Sequence, residues 1–187
     1  MSTVEEQTVG DYLRALASTA AVPGGGSAAA LSAAMGAALL SMVAKLSARK
    51  AKTAEDREAL SSLVPELDEL TTRLLALSQD DVVAYRAVIE ARKSGAPGEP
   101  LARAYERAAE VPLTTAVAAA RGLALAPEIS KRAWEMAASD LAVGGELLET
   151  GFHGALGNVA INLPELEGDA AARIERAYLE LRALKAQ

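Results

Sequence analysis

The sequence predicts an all-α protein, a multi-helix bundle of long, alanine-rich helices packed closely together. Three observations carry that expectation. Roughly a quarter of the residues are alanine while only 3% are Phe, Trp or Tyr, a balance that favours helices meeting backbone to backbone over a sheet of β-branched and aromatic residues. Apolar residues recur at three- and four-residue spacing, and no stretch alternates with the period of a half-buried strand. Capping-box patterns stand ahead of two of those stretches. With 187 residues and 51% apolar content, the chain can bury a sizeable core and reads as one domain over residues 1–187.

Thr3-Val4-Glu5-Glu6 matches a capping box and opens a first helix expected to reach about Leu16, ended by a loop at Val22-Pro23. Pro23-Gly24-Gly25-Gly26-Ser27 then feeds a long helix made almost entirely of small residues. Its glycines let the backbone approach a group that a Cβ would repel, and Ser27 is placed as the N-cap. Leu31, Met35, Leu39, Met42 and Leu46 form a large face on this helix. Ala29, Ala33, Ala37 and Ser41 form a small one, suited to a neighbouring helix or a flat ligand. A second capping box, Thr53-Ala54-Glu55-Asp56, opens a helical stretch to about Lys93, with Pro65 marking a restart or kink. Ser94-Gly95-Ala96-Pro97-Gly98 reads as a linker. The next helix runs from about Glu99 to Leu125 with Pro112 inside it, and Pro127 starts a segment ending near Ala138. Ser139 caps a helix to about Asn162, and Pro164 begins the last, whose Arg173, Glu175, Arg176, Glu180 and Arg182 read as a solvated face. The long helix has more small, apolar surface than one chain of this size needs to bury, so a homodimer is expected.

Composition removes several function classes. A net charge of −6, one histidine and no basic run argue against a nucleic-acid partner. There is no cysteine, hence no thiolate nucleophile or disulfide, and a lone His153 offers no zinc-binding pair and only a solitary candidate for a Ser-His-Asp triad, so no metal site is expected. The N-terminus is acidic and lacks the apolar run of a signal peptide, which points to the cytoplasm. Residues 28–46 carry no charge before Lys45, near the length of a membrane span, but Ala and Ser contribute little to insertion, so no membrane partner is expected. Gly24, Gly26 and Ala29 satisfy a dinucleotide-type glycine pattern without the strand that must precede it, and the Lys-Ser/Thr of a P-loop is missing.

The remaining candidate chemistry is carboxylate and amide. Asp81 and Tyr85 lie one turn apart on a face that Val88 and Ile89 turn inward, making Asp81 a candidate base. Ser139-Asp140 stands at a helix start, where the dipole favours an ionised carboxylate. Asn158 and Asn162 put two carboxamides on one helical face, able to read a heterocycle's edge or to cap and cross-link helices. The amides from Gly24 to Ser27 form an anion-binding helix start.

Taken together, Pro23-Gly24-Gly25-Gly26-Ser27-x-Ala29-Ala30, Met42-Val43-Ala44-Lys45-Leu46-Ser47, Asp81-x-x-Ala84-Tyr85, Ala109-Glu110-Val111-Pro112-Leu113, Ser139-Asp140 and Asn158-Val159-x-Ile161-Asn162-Leu163 resemble the cyclodeaminase/cyclohydrolase domain of formiminotransferase-cyclodeaminase, in its stand-alone form. The resemblance implies an all-helical, homodimeric fold that binds tetrahydrofolate derivatives and needs no cofactor beyond that folate. The implied reaction is cyclisation of 5-formimino-tetrahydrofolate to 5,10-methenyl-tetrahydrofolate with release of ammonia, or hydrolysis of the 5,10-methenyl bridge. Asp81 and Asp140 are then the expected catalytic residues, and Gly24, Gly25, Gly26, Ser27, Tyr85, Ser139, Asn158 and Asn162 the substrate-binding ones. One departure bears on activity. Where the family commonly carries a Gly-Asn pair ahead of Ser-Asp, this chain reads Ala133-Trp134-Glu135-Met136-Ala137-Ala138, which leaves a noncatalytic folate-binding or interaction module as the alternative.

Overall fold

A helix of small residues can be surrounded more closely than one of large residues, and the second helix of this protein is placed accordingly. The computed structural model describes residues 3–95 and 98–184, which form six α-helices and, among the described residues, no strand. They are α1 (Val9–Leu16), α2 (Gly25–Lys50), α3 (Ala54–Lys93), α4 (Glu99–Ser130), α5 (Ala138–Asn162) and α6 (Gly168–Leu184). Helices α3 and α5 flank α2, α4 packs beneath it, and α6 closes on α4. The small face of α2 is the buried one: Ala29, Ala33, Ala37 and Ser41 are within the core, and a Cβ added at Gly151 of α5 would lie 2.6 Å from the Cβ of Ala33. Only glycine fits there, and the close backbone approach it allows gives dispersion contacts in place of those that larger side chains supply elsewhere. The large face is turned outward instead, with Met35 and Met42 exposed. What the chain leaves uncovered is therefore the large-residue stripe, not the small-residue surface that prompted the dimer expectation.

The all-α class holds, while several boundaries move. Thr3 and Glu6 form only a turn, and α1 starts later because Thr8 caps it by accepting from the Asp11 amide. At α2 the N-cap is Gly24, and Ser27 lies inside the first turn with its hydroxyl drawn into the core. Thr53 caps α3 as expected, and Pro65 does not end that helix. Pro127 likewise stays inside α4, since Leu125 and Ile129 are buried on either side of it and their packing outweighs the lost backbone bond. Helix α5 starts one residue before Ser139, which is exposed and not its N-cap. Pro164 sits in a 3-10 turn, and α6 begins at Gly168. The Ala96-Pro97 centre of the expected linker lies outside the described residues.

The 26-residue α2 is long and apolar enough to cross a membrane, but 67% of its most apolar window is buried inside the protein.

Candidate functional site

The start of α2 and the middle of α3 meet over one carboxylate. Asp81 turns inward against the first turn of α2, where a Cβ on Gly26 would lie 2.1 Å from its Oδ1. Only glycine permits that approach. The Ser27 backbone N–H donates to Asp81, so the amides of this helix start hold an anion that the protein itself supplies. Burial pushes the Asp81 carboxyl from the usual 3.8 up to about 6, with the Ser27 hydrogen bond pulling the other way.

The side chain of Ser27 does not reach the cavity. Its hydroxyl is fully buried, 3.1 Å from the Tyr12 hydroxyl and 2.9 Å from that of Ser78, whose own hydroxyl donates to the Ser27 carbonyl at 3.0 Å. Through this chain α1, α2 and α3 are joined directly behind the amide that holds Asp81. Neither Tyr12 nor Ser78 stood out in the sequence. The available signal was that Ser78 lies three residues before Asp81, hence on the same helical face.

In front of Asp81 is a cavity of about 260 Å³ lined by Ala21, Val22, Gly24–Gly26, Asp81, Ala84, Tyr85, Ala108, Asn158, Ile161 and Asn162. Its lining comes from the stretch before α2 and the first residues of that helix, from α3 and α5, and from Ala108 of α4. Six of the site residues expected from sequence besides Asp81 thus converge here: Gly24, Gly25, Gly26, Tyr85, Asn158 and Asn162. Among the described residues, no lysine or arginine lines it.

The two carboxamides are partly committed to the fold. Pro112 has no N–H, which leaves the Ala108 carbonyl without its helical donor, and Asn162 Nδ2 donates to that oxygen at 3.1 Å and to the Asn158 carbonyl at 2.9 Å. Asn158 Nδ2 donates to the Gly154 carbonyl at 2.8 Å. What remains for a ligand is the Oδ1 acceptor of each and one N–H of Asn158.

Ser139 and Asp140 are elsewhere. They lie at the opposite end of α5, about 27 Å along the helix from Asn158 at roughly 1.5 Å per residue. Trp134 is at that same end, its backbone N–H donating to Ser47 Oγ at 2.9 Å and its ring centre 5.2 Å from Lys50 Nζ. Within one chain the indole is therefore remote from Asp81 and neither stacks in nor fills this cavity. His153 is exposed and tilted against Phe152. Among the described residues no group of three or more His, Asp or Glu converges as a metal site would require.

A carboxylate that burial pushes up to about 6, beside a tyrosine and two carboxamides in a small cleft, is the arrangement of a small-molecule site in an all-helical protein. Residues 8–178 match the family model of formiminotransferase-cyclodeaminase. The methenyltetrahydrofolate cyclohydrolase of Methylorubrum extorquens is 32% identical over 97% of this chain and 90% of its own length. The formimidoyltransferase-cyclodeaminase of Gallus gallus is 30% identical over 95% of this chain, which spans 34% of that protein. The crystal structure of formiminotetrahydrofolate cyclodeaminase from Thermotoga maritima superposes with a TM-score of 0.84 at 27% identity, covering 96% of this chain and 90% of that one. This chain belongs to the formiminotransferase-cyclodeaminase family.

Proposed function

We propose that this chain is a folate one-carbon enzyme acting at the N5/N10 position of tetrahydrofolate. It either cyclises 5-formimino-tetrahydrofolate to the 5,10-methenyl form with loss of ammonia or hydrolyses the methenyl bridge. The observation that carries the reading is Asp81, a carboxylate that burial pushes up to about 6, facing a cleft lined by Tyr85, Asn158 and Asn162. In cyclisation N10 attacks the carbon of the formimino group, which is protonated on its imino nitrogen, Asp81 takes the proton that N10 sheds, and the same proton passes to the leaving nitrogen as its bond to carbon breaks. The products are the methenyl cation and ammonia. In hydrolysis water adds to the bridge carbon and the carbon–N5 bond breaks. One water proton reaches N5 through Asp81, the other leaves to solvent, and the formyl group stays on N10. Asn158, with one free N–H and its oxygen, and Asn162, with its oxygen, orient the pterin edge, and Tyr85 borders it.

The chain acts in this reading as a single cytoplasmic domain without a cofactor beyond the folate and without nucleic-acid or membrane partners, and as a homodimer. Support for the dimer is the outward stripe of α2, where Leu31, Met35, Leu39 and Met42 are left partly or largely uncovered. The test is to supply 5-formimino- and 5,10-methenyl-tetrahydrofolate separately and follow methenyl absorbance. A rise with the first or an accelerated loss of the second is expected. Silence with both, alongside folate binding, would return the chain to a noncatalytic module.

A further inference from the structure

We propose that Pro112 is a positioning residue for substrate recognition. By taking the helical donor away from the Ala108 carbonyl it locks the Asn162 carboxamide, leaving only the oxygen of that carboxamide to the Asp81 cavity. This wall then accepts from an N–H edge of the substrate and repels a carbonyl edge. The role rests on the folate reading above and adds the means by which one of its carboxamides is oriented. Among the described residues three prolines stand in helix interiors, and one of them differs. Pro65 of α3 and Pro127 of α4 are exposed, where solvent is available in place of the lost donor. Pro112 is buried, and the Ala108 carbonyl that its missing N–H leaves open borders the cavity.

A buried carbonyl without a donor is costly. Here Asn162 Nδ2 supplies one at 3.1 Å and gives its second N–H to the Asn158 carbonyl at 2.9 Å. A carboxamide has two N–H groups and one oxygen, so both donors are spent on backbone and Oδ1 alone is left for a ligand. The proline ring also crowds the carbonyl four residues before it out of the helical line, and that oxygen is found on the α5 side, against Asn162. The distance between the two helices is set next door, where Ala109 and Val159 are fully buried in one cluster with Ile174 of α6. With any other residue at 112 the backbone N–H returns and the Ala108 carbonyl falls back into line with its helix. Asn162 then loses one of the two acceptors that hold it and is free to turn an N–H to the cavity. Locked, it adds to the acceptors already supplied by Asp81, which suits the N–H groups along the pyrimidine edge of a pterin.

The test uses P112A and P112V, which restore the same N–H but leave different volumes in the core, each checked for native helicity. P112S, which restores that N–H too, replaces a variant that does not fold. Before any folate is added, the side-chain carboxamide of Asn162, assigned from its absence in N162A, is followed by NMR. In wild type both of its protons should exchange slowly with solvent, and in both variants about tenfold faster, as the loss of one hydrogen bond implies. Exchange as slow as in wild type overturns the lock whether or not the chain uses folate. Next, KM and kcat are measured on whichever folate the wild type turns over. Both variants should raise KM about three- to tenfold. The value of kcat and its pH dependence should not move, because Asp81 is held from α2 and α3. In an N162A background, where KM is already raised, neither substitution should raise it further. A KM effect confined to P112A follows lost volume, one that persists in the N162A background bypasses Asn162, and a fall in kcat alone reflects general distortion. Each of these refutes the proposal. A wild type inert toward both folates removes the folate reading and the substrate half of the proposal with it, while the exchange rates still decide the lock.

Discussion

Asp68 and Asp81 belong to the same helix, are carboxylates of the same length, and face opposite ends of α2, yet their chemistry diverges. Asp68 receives Lys45 at 2.8 Å and the Ser41 hydroxyl at 2.5 Å, and the Lys45 hydrogen bond, then that of Ser41, hold its carboxyl below the usual range. Asp81 has no ion pair among the described residues and is pushed up by burial, with a single backbone donor opposing. The difference lies in the surroundings. An exposed aspartate beside a lysine is a surface ion pair, worth little. A buried one facing only amides is poised to exchange a proton near neutrality.

Replacing Asp81 by Asn should have the largest effect on rate, a loss of about 10²–10⁴-fold in kcat on the folate substrate, as expected when an acid–base group is removed. In the wild type a rate limited by the basic form should rise with pH through about 6. Stability moves the other way. Unfolded, Asp81 titrates near 3.8, and folded near 6, so between those values the folded chain keeps a proton that the unfolded chain has lost. Stability therefore falls as pH rises across this window. D81N should be more stable than wild type above neutrality by on the order of 3 kcal/mol, with the gap closing at or below about pH 4. Paired denaturant melts at the two pH values check the sign, and a gap independent of pH would break the contrast with Asp68.

Gly26→Ala comes next. Helix propensity alone would make it stabilising by about 1 kcal/mol, but the new Cβ must displace the Asp81 carboxylate. We expect a net loss of about 1–3 kcal/mol together with a kcat reduced at least as strongly as any change in KM. Unaltered turnover would mean that the carboxylate is not needed where it sits. Ser78→Ala should cost about 1–2 kcal/mol by leaving buried hydroxyl partners unmet. Because it slackens the amide that holds Asp81, it should also move the kinetic pKa, which a purely structural serine would not do.

Asp68→Asn is the smallest and the mirror image. Asp68 is half-exposed, so the loss of stability should stay below about 1 kcal/mol after solvent screening. Its carboxyl is held low, so that contribution is fully present above the unfolded value of 3.8 and disappears as pH falls through its lower folded value. Melts from neutral to acidic pH should show wild type and D68N converging in acid, as for D81N but with the opposite sign of difference.

Much of the site was legible from spacing alone. Asp81 and Tyr85 one turn apart, Asn158 and Asn162 one turn apart, and three glycines ahead of a helix each describe a local face, and helical periodicity is enough to find such faces. Where these faces point was less accessible. The glycine run reads as an anion cradle in both sequence and structure, but the sequence does not reveal that the anion is Asp81. Similarly, Asn162 reads as a ligand contact or a cross-link until Pro112 is seen to leave the Ala108 carbonyl open beside it.

By itself the sequence determined the all-helical class, the capped start of α3, the small face of α2 and the polar and glycine residues that ring the cavity, Gly24–Gly26, Asp81, Tyr85, Asn158 and Asn162. Each follows from propensity, capping or periodicity within a few turns of chain. Only the tertiary structure decided that Ser27 works through its amide and a buried hydroxyl chain, that Pro127 stays within its helix, and that the large face of α2 looks outward. It also separated Ser139 and Asp140 from Asp81 within one chain. These outcomes depend on which helices lie against one another, and burial, clash and unmet hydrogen bonds between distant residues carry no local pattern from which to read them.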